Sequence, residues 1–196
     1  MLSIAEYNPF FIKKTFNLPE YKPKHKRKIV IDYDPMFYAI FNKIHNYDIT
    51  NVNYIRMNEK QEKIKIAVEI EKLKLKPKDK DDVIQNLMYE NRINLKTLNA
   101  LCMFYKINVL YIKDNIFIKM NYGENDTLYM ENNRIVEPID VFTKYEVNLD
   151  KPLRCASYYK IDDLRQISTQ LHLPIENIKK QQLYDSIHNV LNKLNI

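Results

Sequence analysis

Residues 95–120 read LKTLNALCMFYKINVLYIKDNIFIKM, and within them the apolar side chains change from a helical to a strand-like period. Leu98, Leu101 and Cys102 recur at three- and four-residue intervals, the spacing that gathers side chains on one face of a helix. From Ile107 onward the apolar residues run through INVLYI (107–112) and IFIKM (116–120), parted only by the turn-forming pair Asp114-Asn115 and the residue before it. A helix over 95–105 therefore passes directly into paired strands. Asn94 is placed to cap that helix, because its short side chain can accept from N–H groups of the first turn.

Downstream, TLYME (127–131) and RIVEP (134–138) continue the strand-like period, with Gly123 and Asn132-Asn133 between segments. Connections this short predict an antiparallel meander. Beyond residue 150 the helical period returns, over 161–171 and 179–194, around a bend at Leu173-Pro174. Upstream, Ile29-Val30-Ile31 is a short strand candidate. It leads into Asp34-Pro35, a side-chain acceptor followed by a residue that lacks the N–H a first helical turn leaves unpaired. A helix over 35–45 burying Phe37, Ile40, Phe41 and Ile44 follows. A long amphipathic helix over 58–74 places Ile64, Val68 or Ala67, and Leu75 at helical spacing, with Pro77 ending it and a further helix over 79–89. The expected fold class is α+β: an N-terminal helical region, a short antiparallel β-meander and a C-terminal helical hairpin. The expected division is an N-terminal segment and arm (1–28), a body (29–150) and a helical tail (151–196).

The chain's 196 residues suffice for one packed core with a small appendage. Hydrophobic residues at 45% and charged residues at 29% give ample material to bury and no signature of disorder. A single glycine, where average usage is roughly 7%, leaves turns to Asn, Asp and Pro. It also excludes the glycine-rich loops that cradle nucleotide phosphates. Cys102 and Cys155, both expected to be buried, offer neither a disulfide framework nor a metal-ligand spacing. The first residues show no secretory leader and no apolar run approaches a membrane span, so an intracellular protein without membrane contact is expected. No cofactor or metal is expected.

The net charge of +6 is unevenly distributed: +5 over residues 1–28, −2 over 29–150 and +3 over 151–196. Two basic ends on a slightly acidic body form an electrostatic footprint suited to a polyanion. The candidate nucleic-acid contacts are Lys22, Lys24, Lys26, Arg27 and Lys28 in a proline-spaced arm, with Lys160, Arg165, Lys179 and Lys180 in the tail.

Three resemblances attach to particular residues. The tail, Tyr159-Lys160-Ile161-Asp162-Asp163-Leu164-Arg165 through His172-Leu173-Pro174 to Lys179-Lys180 and Tyr184, resembles the SAP helix-extended-helix module. The resemblance implies DNA binding through basic and helix-terminal groups; His172 stands where that module usually has glycine. Asp32-Tyr33-Asp34-Pro35-Met36-Phe37-Tyr38-Ala39-Ile40, with the later helix-to-strand run Leu95–Leu98 and Ile107–Tyr111, resembles the opening and middle of OTU-type deubiquitinating cysteine proteases. There Tyr33 replaces a glycine and Pro35 the nucleophilic cysteine, which implies a scaffold without the reaction and with ubiquitin as a partner. The segment Ile29–Asp34 also resembles, as an alternative, the strand end of PIN-like nucleases or haloacid-dehalogenase-like phosphatases, which implies Mg²⁺ held by Asp32 and Asp34, although capping by Asp34 explains it better.

Over about residues 30–194 the chain is similar to an uncharacterised family of nucleocytoplasmic large DNA viruses. That similarity rests on Asp34–Phe41, the run Leu98–Ile112 and the tail from Lys151-Pro152-Leu153 to Tyr184; Tyr38 and Ala39 replace the Trp and Cys of the relatives. It implies a viral protein in the host cytoplasm, the virion or the nucleus. The combined expectation is a non-enzymatic viral protein that contacts DNA through its tail and arm, in a virion, packaging or transcription assembly. The alternatives are a minor virion component that docks on viral proteins, and a catalytically dead OTU-like protein that binds ubiquitin.

Overall fold

A computed structural model of the chain describes residues 33–45 and 52–194. The strand expected at 29–31 and the arm at 22–28 lie outside the described residues. The elements run α1 (Pro35–His45), α2 (Val52–Ile70), α3 (Pro77–Tyr89), α4 (Leu95–Tyr105), β1 (Asn108–Lys113), β2 (Ile116–Asn121), β3 (Thr127–Glu131), β4 (Arg134–Val136), β5 (Tyr145–Glu146), α5 (Ile161–Gln170) and α6 (Lys180–Asn192). The fold is α+β, with helices first, a five-stranded sheet and a C-terminal helical pair. No described helix is long and apolar enough to cross a membrane.

α1 begins as its sequence dictates. The Oδ1 atom of Asp34 accepts from the N–H groups of Met36 (3.1 Å) and Phe37 (3.2 Å), with Pro35 at the first helical position. Its Oδ2 atom accepts from Lys63 Nζ at 2.9 Å and from the Ile93 N–H at 2.6 Å. Glu59 completes the cluster, accepting from the Asp34 N–H at 3.2 Å and from Lys63 Nζ at 2.9 Å. Lys63 also donates to the Asn91 carbonyl at 3.5 Å and lies over the Phe37 ring. All three charged side chains are buried, and together they tie α1, α2 and the turn before α4 to one point.

This cluster rotates α2 away from its expected orientation. The buried stripe is Glu59, Lys63, Ile66, Ala67 and Ile70, whereas Ile64 and Val68 are 41% and 62% exposed. Hydropathy places isoleucine and valine inward. The bonds of Glu59 and Lys63 to Asp34 place those two charges there instead, and the helix's 3.6-residue period turns Ile64 and Val68 outward. Pro77 opens α3 rather than closing α2. Between α3 and α4, the buried Asn86 donates to the Arg92 carbonyl and accepts from the Asn94 N–H and the Thr97 hydroxyl. Asn94 caps α4 through the Thr97 N–H at 2.9 Å.

The sheet departs from a meander. Its order is β4-β3-β1-β2-β5, with β1 antiparallel to β2 but parallel to β3, and β5 parallel to β2. After β2 the chain crosses the entry to β1 instead of turning back beside β2. Asn108 holds the crossing: its Oδ1 accepts from the N–H groups of Tyr122 and Gly123 at 2.9 Å each, and its Nδ2 donates to the carbonyls of Gly123 and Asn125. The single glycine is spent here on close approach, since a Cβ on Gly123 would lie 2.1 Å from the Lys106 carbonyl oxygen. Among the described residues, the left-handed positions fall instead to Lys106, Asp114, Asn132, Asn133, His172 and Asn177. Asn132-Asn133, both left-handed, form the two-residue turn that joins β3 to β4.

Val109, Tyr111, Ile116, Ile118, Met120 and Met130 join the main core with the helices, and the buried apolar residues of α5 and α6 belong to that same core. Leu110, Ile112 and Phe117 form a smaller cluster on the opposite face of the sheet, under Tyr129, Ile139 and Val141. Replacing Lys63 with Met leaves two buried carboxylates without their cation. Removing one partner of a buried ion cluster typically destabilises by about 3–5 kcal/mol, so urea unfolding of Lys63→Met is expected to show a midpoint lowered to match.

Candidate nucleic-acid interface

The resemblance to OTU-type enzymes would place a nucleophilic thiol at the N-terminus of α1. Pro35 occupies that position, and the adjoining Asp34 carboxylate already accepts from four donors within the fold. This arrangement identifies Asp34 as a cap; Asp32 lies outside the described residues. No cluster of three or more His, Cys, Asp or Glu side chains suited to a metal ion occurs among the described residues.

The two thiols sit in opposite environments. Cys102 is buried with its Sγ 3.8 Å from Met120 Sδ, and burial pushes its pKa up to about 12. Cys155, expected to be buried, is exposed. The hydrogen bond to the Ser157 hydroxyl (3.2 Å) and backbone N–H groups hold its thiol below the ordinary range. The apolar neighbours of Cys155 in sequence misled, because Leu153 and Ala156 turn toward the protein while the short 3-10 turn Ala156–Tyr158 leaves the thiol outside.

The tail assembles as a helix, an extended link and a second helix. α5 closes with His172 left-handed (φ 55°): its N–H bonds the Thr169 carbonyl, and the Leu173 N–H bonds that of Ser168. This is the double closure that glycine usually serves at a helix end, followed by Pro174. His172 therefore adopts a left-handed conformation that favours glycine, against the steric penalty of a side chain there.

The four predicted tail contacts divide by electrostatics. Lys160 and Arg165 are both exposed: the Lys160 backbone N–H donates to Asp163 Oδ2 at 2.7 Å while its ammonium has no ion pair among the described residues, and Arg165 pairs with Asp162 at 3.1 Å. Asp162 and Asp163 also occupy the first turn of α5, where carboxylates offset the positive helix end. The first turn of α6 holds no acid. There Lys179 is exposed and Lys180 half-buried, and the neutral Gln182 side chain caps the Lys179 N–H at 3.1 Å. Of the two tail helices, only α6 combines positive charge with a first turn free of acids. Lys22, Lys24, Lys26, Arg27 and Lys28 lie outside the described residues.

Sequence reading passed over Arg154. Its guanidinium lies 4.2 Å from the centroid of the Tyr158 ring, which is 59% exposed. The Arg154 N–H donates to the Tyr159 hydroxyl at 3.1 Å, and its carbonyl accepts from the Tyr184 hydroxyl at 2.9 Å. The only signal in the sequence is a pair of tyrosines four and five residues after an arginine; the Tyr184 bond spans 30 residues and leaves no local trace.

Comparison with protein-family models, with curated proteins and with solved structures finds no match for the chain. Two measurements check the geometry of the tail. In the native protein a thiol reagent is expected to modify Cys155 and spare Cys102 until unfolding, with the Cys155 rate rising with pH through a midpoint below that of an ordinary thiol. His172→Gly relieves the left-handed side chain, for which a penalty of about 1 kcal/mol is typical, and should raise the unfolding free energy by that order.

Proposed function

We propose that the protein is a non-enzymatic DNA-contacting protein, with the tail as its structured contact and the basic segment 22–28 as a second. The observation that carries this reading is the N-terminus of α6, where Lys179 and Lys180 meet a helix end free of acids. A duplex presents rows of phosphates, and backbone contacts of this kind fix position without reading sequence. The His172 link supports it by giving the helical pair the connection that a helix-extended-helix module needs. The net +5 of residues 1–28 adds a polyelectrolyte contact on the same chain, and two weak sites joined covalently reinforce one another by effective concentration. In keeping with the similarity to large DNA virus proteins, the setting we assign is a virion, packaging or transcription assembly.

A second reading, a virion component that docks on another protein, draws on a different observation. Phe142 is 92% exposed at the tip of a turn closed by Asp140 Oδ1 on the Phe142 N–H and by the Lys144 N–H on the Val141 carbonyl. An aromatic side chain held out in water on an ordered turn suits a protein anchor.

Fluorescence anisotropy with labelled duplex DNA across a salt series separates the two. The affinity is expected to fall linearly on logarithmic axes, with about 0.9 in slope for each phosphate neutralised. The double variant Lys179→Ala, Lys180→Ala should reduce that slope by about 2. Binding that is absent, or indifferent to salt, would overturn the DNA reading and favour docking.

A further inference from the structure

Between Asp150 and Asp162 the chain carries Lys151, Arg154 and Lys160 and no carboxylate. Arg154 has no carboxylate within ion-pair distance among the described residues, so its charge and its outer face remain directed at solvent. Its backbone is fastened on both sides by tyrosine hydroxyls, from Tyr159 and Tyr184. Tyr159 also meets the Tyr158 ring edge-on, at 5.2 Å between centroids and 86° between planes. The result is a guanidinium plane and a phenol ring stacked on an anchored backbone. One face of Tyr158 is taken by Arg154, and 59% of the residue is still open to solvent.

We propose that Arg154 and Tyr158 form a stacking platform for an unpaired base of a single-stranded nucleic acid, with Lys151 and Lys160 serving the adjoining phosphates. The proposal rests on the nucleic-acid reading above and names the strand form that this part of the tail accepts. In a duplex the base faces are covered by their neighbours, so a flat cation and ring at the surface have nothing to stack on. In a single strand every base exposes a π face, and both the guanidinium plane and the phenol can receive one. Because the stacked pair offers planar faces rather than a set of groups matched to one base edge, the platform is expected to tolerate any sequence. The two contacts are chemically separate: the start of α6 takes backbone phosphate of either form, and the Arg154–Tyr158 stack takes a base. Anchoring of Arg154 in advance reduces the ordering that binding would otherwise require.

The test uses the full chain and two labelled probes, an oligothymidylate of about sixteen nucleotides, the upper end of common single-domain site sizes, and a duplex of equal length. Stacking by one base is worth about 1–3 kcal/mol, so Tyr158→Ala and Arg154→Ala are each expected to weaken single-strand binding about tenfold. Both should leave duplex affinity within about twofold. Tyr158→Phe, which keeps the ring, should bind as the parent does. Arg154→Lys, which keeps the charge and loses the plane, should fall with Arg154→Ala. The exposed thiol of Cys155, adjacent to Arg154, supplies a readout in the unaltered protein: saturating oligothymidylate should slow its modification. Single-strand affinity unchanged in Tyr158→Ala and Arg154→Ala, with duplex binding intact and still sensitive to Lys179 and Lys180, would overturn the platform and leave the DNA reading standing. Absence of binding to both probes would remove the two together.

Discussion

The Asp34 carboxylate is the constraint on which the helical half of the molecule is organised. One side chain caps α1, receives the Lys63 ammonium and accepts the Ile93 N–H just before α4. A buried carboxylate without such partners would be strongly disfavoured, and the same is true of the buried ammonium of Lys63. Each is tolerable only because the other is present, with Glu59, Asn91 and the Phe37 ring completing the shell. The orientation of α2 follows from this requirement. A charged pair fixes direction in a way that interchangeable apolar contacts do not, which is how two hydrophobic residues of α2 come to lie outside.

Scarcity of glycine shapes the second half of the fold. Six described side chains accept left-handed backbone, four of them Asn or Asp, whose short polar groups tolerate it best. The one glycine is reserved for a contact where any side chain would collide with backbone, at the crossing from β2 to β3. Asn108 and Gly123 together convert what looks like a simple succession of hairpins into a mixed sheet with β1 at its centre. The sheet then has one face for the helices and another bearing only a small apolar cluster.

In the tail, position decides which cations are free to act. Arg165 is paired with a first-turn acid of α5, while Lys160, Lys179, Lys180 and Arg154 have no ion pair among the described residues. A net charge of +3 over 151–196 describes neither group. The same helical hairpin therefore carries one end that is electrostatically quiet and others suited to anionic or stacked ligands, all set on side chains that complete the common core.

Local chemistry was legible in the sequence by itself. The α1 cap at Asp34-Pro35, the α4 cap at Asn94, the change of period after Tyr105, the turn at Asn132-Asn133 and the helix-link-helix of the tail all depend on residues within a few positions of one another. Their determinants are short-range hydrogen bonds and the 3.6- and 2-residue periods. What tertiary structure alone decided rests on partners distant in the chain. Lys63 and Glu59 turn inward because Asp34 lies 29 and 25 residues away; β3 joins β1 because Asn108 reaches residues 122–125; Arg154 is anchored by Tyr184. Hydropathy gives a lysine or an asparagine the same value wherever it stands. Whether it is buried depends on a complementary group brought to it by the fold.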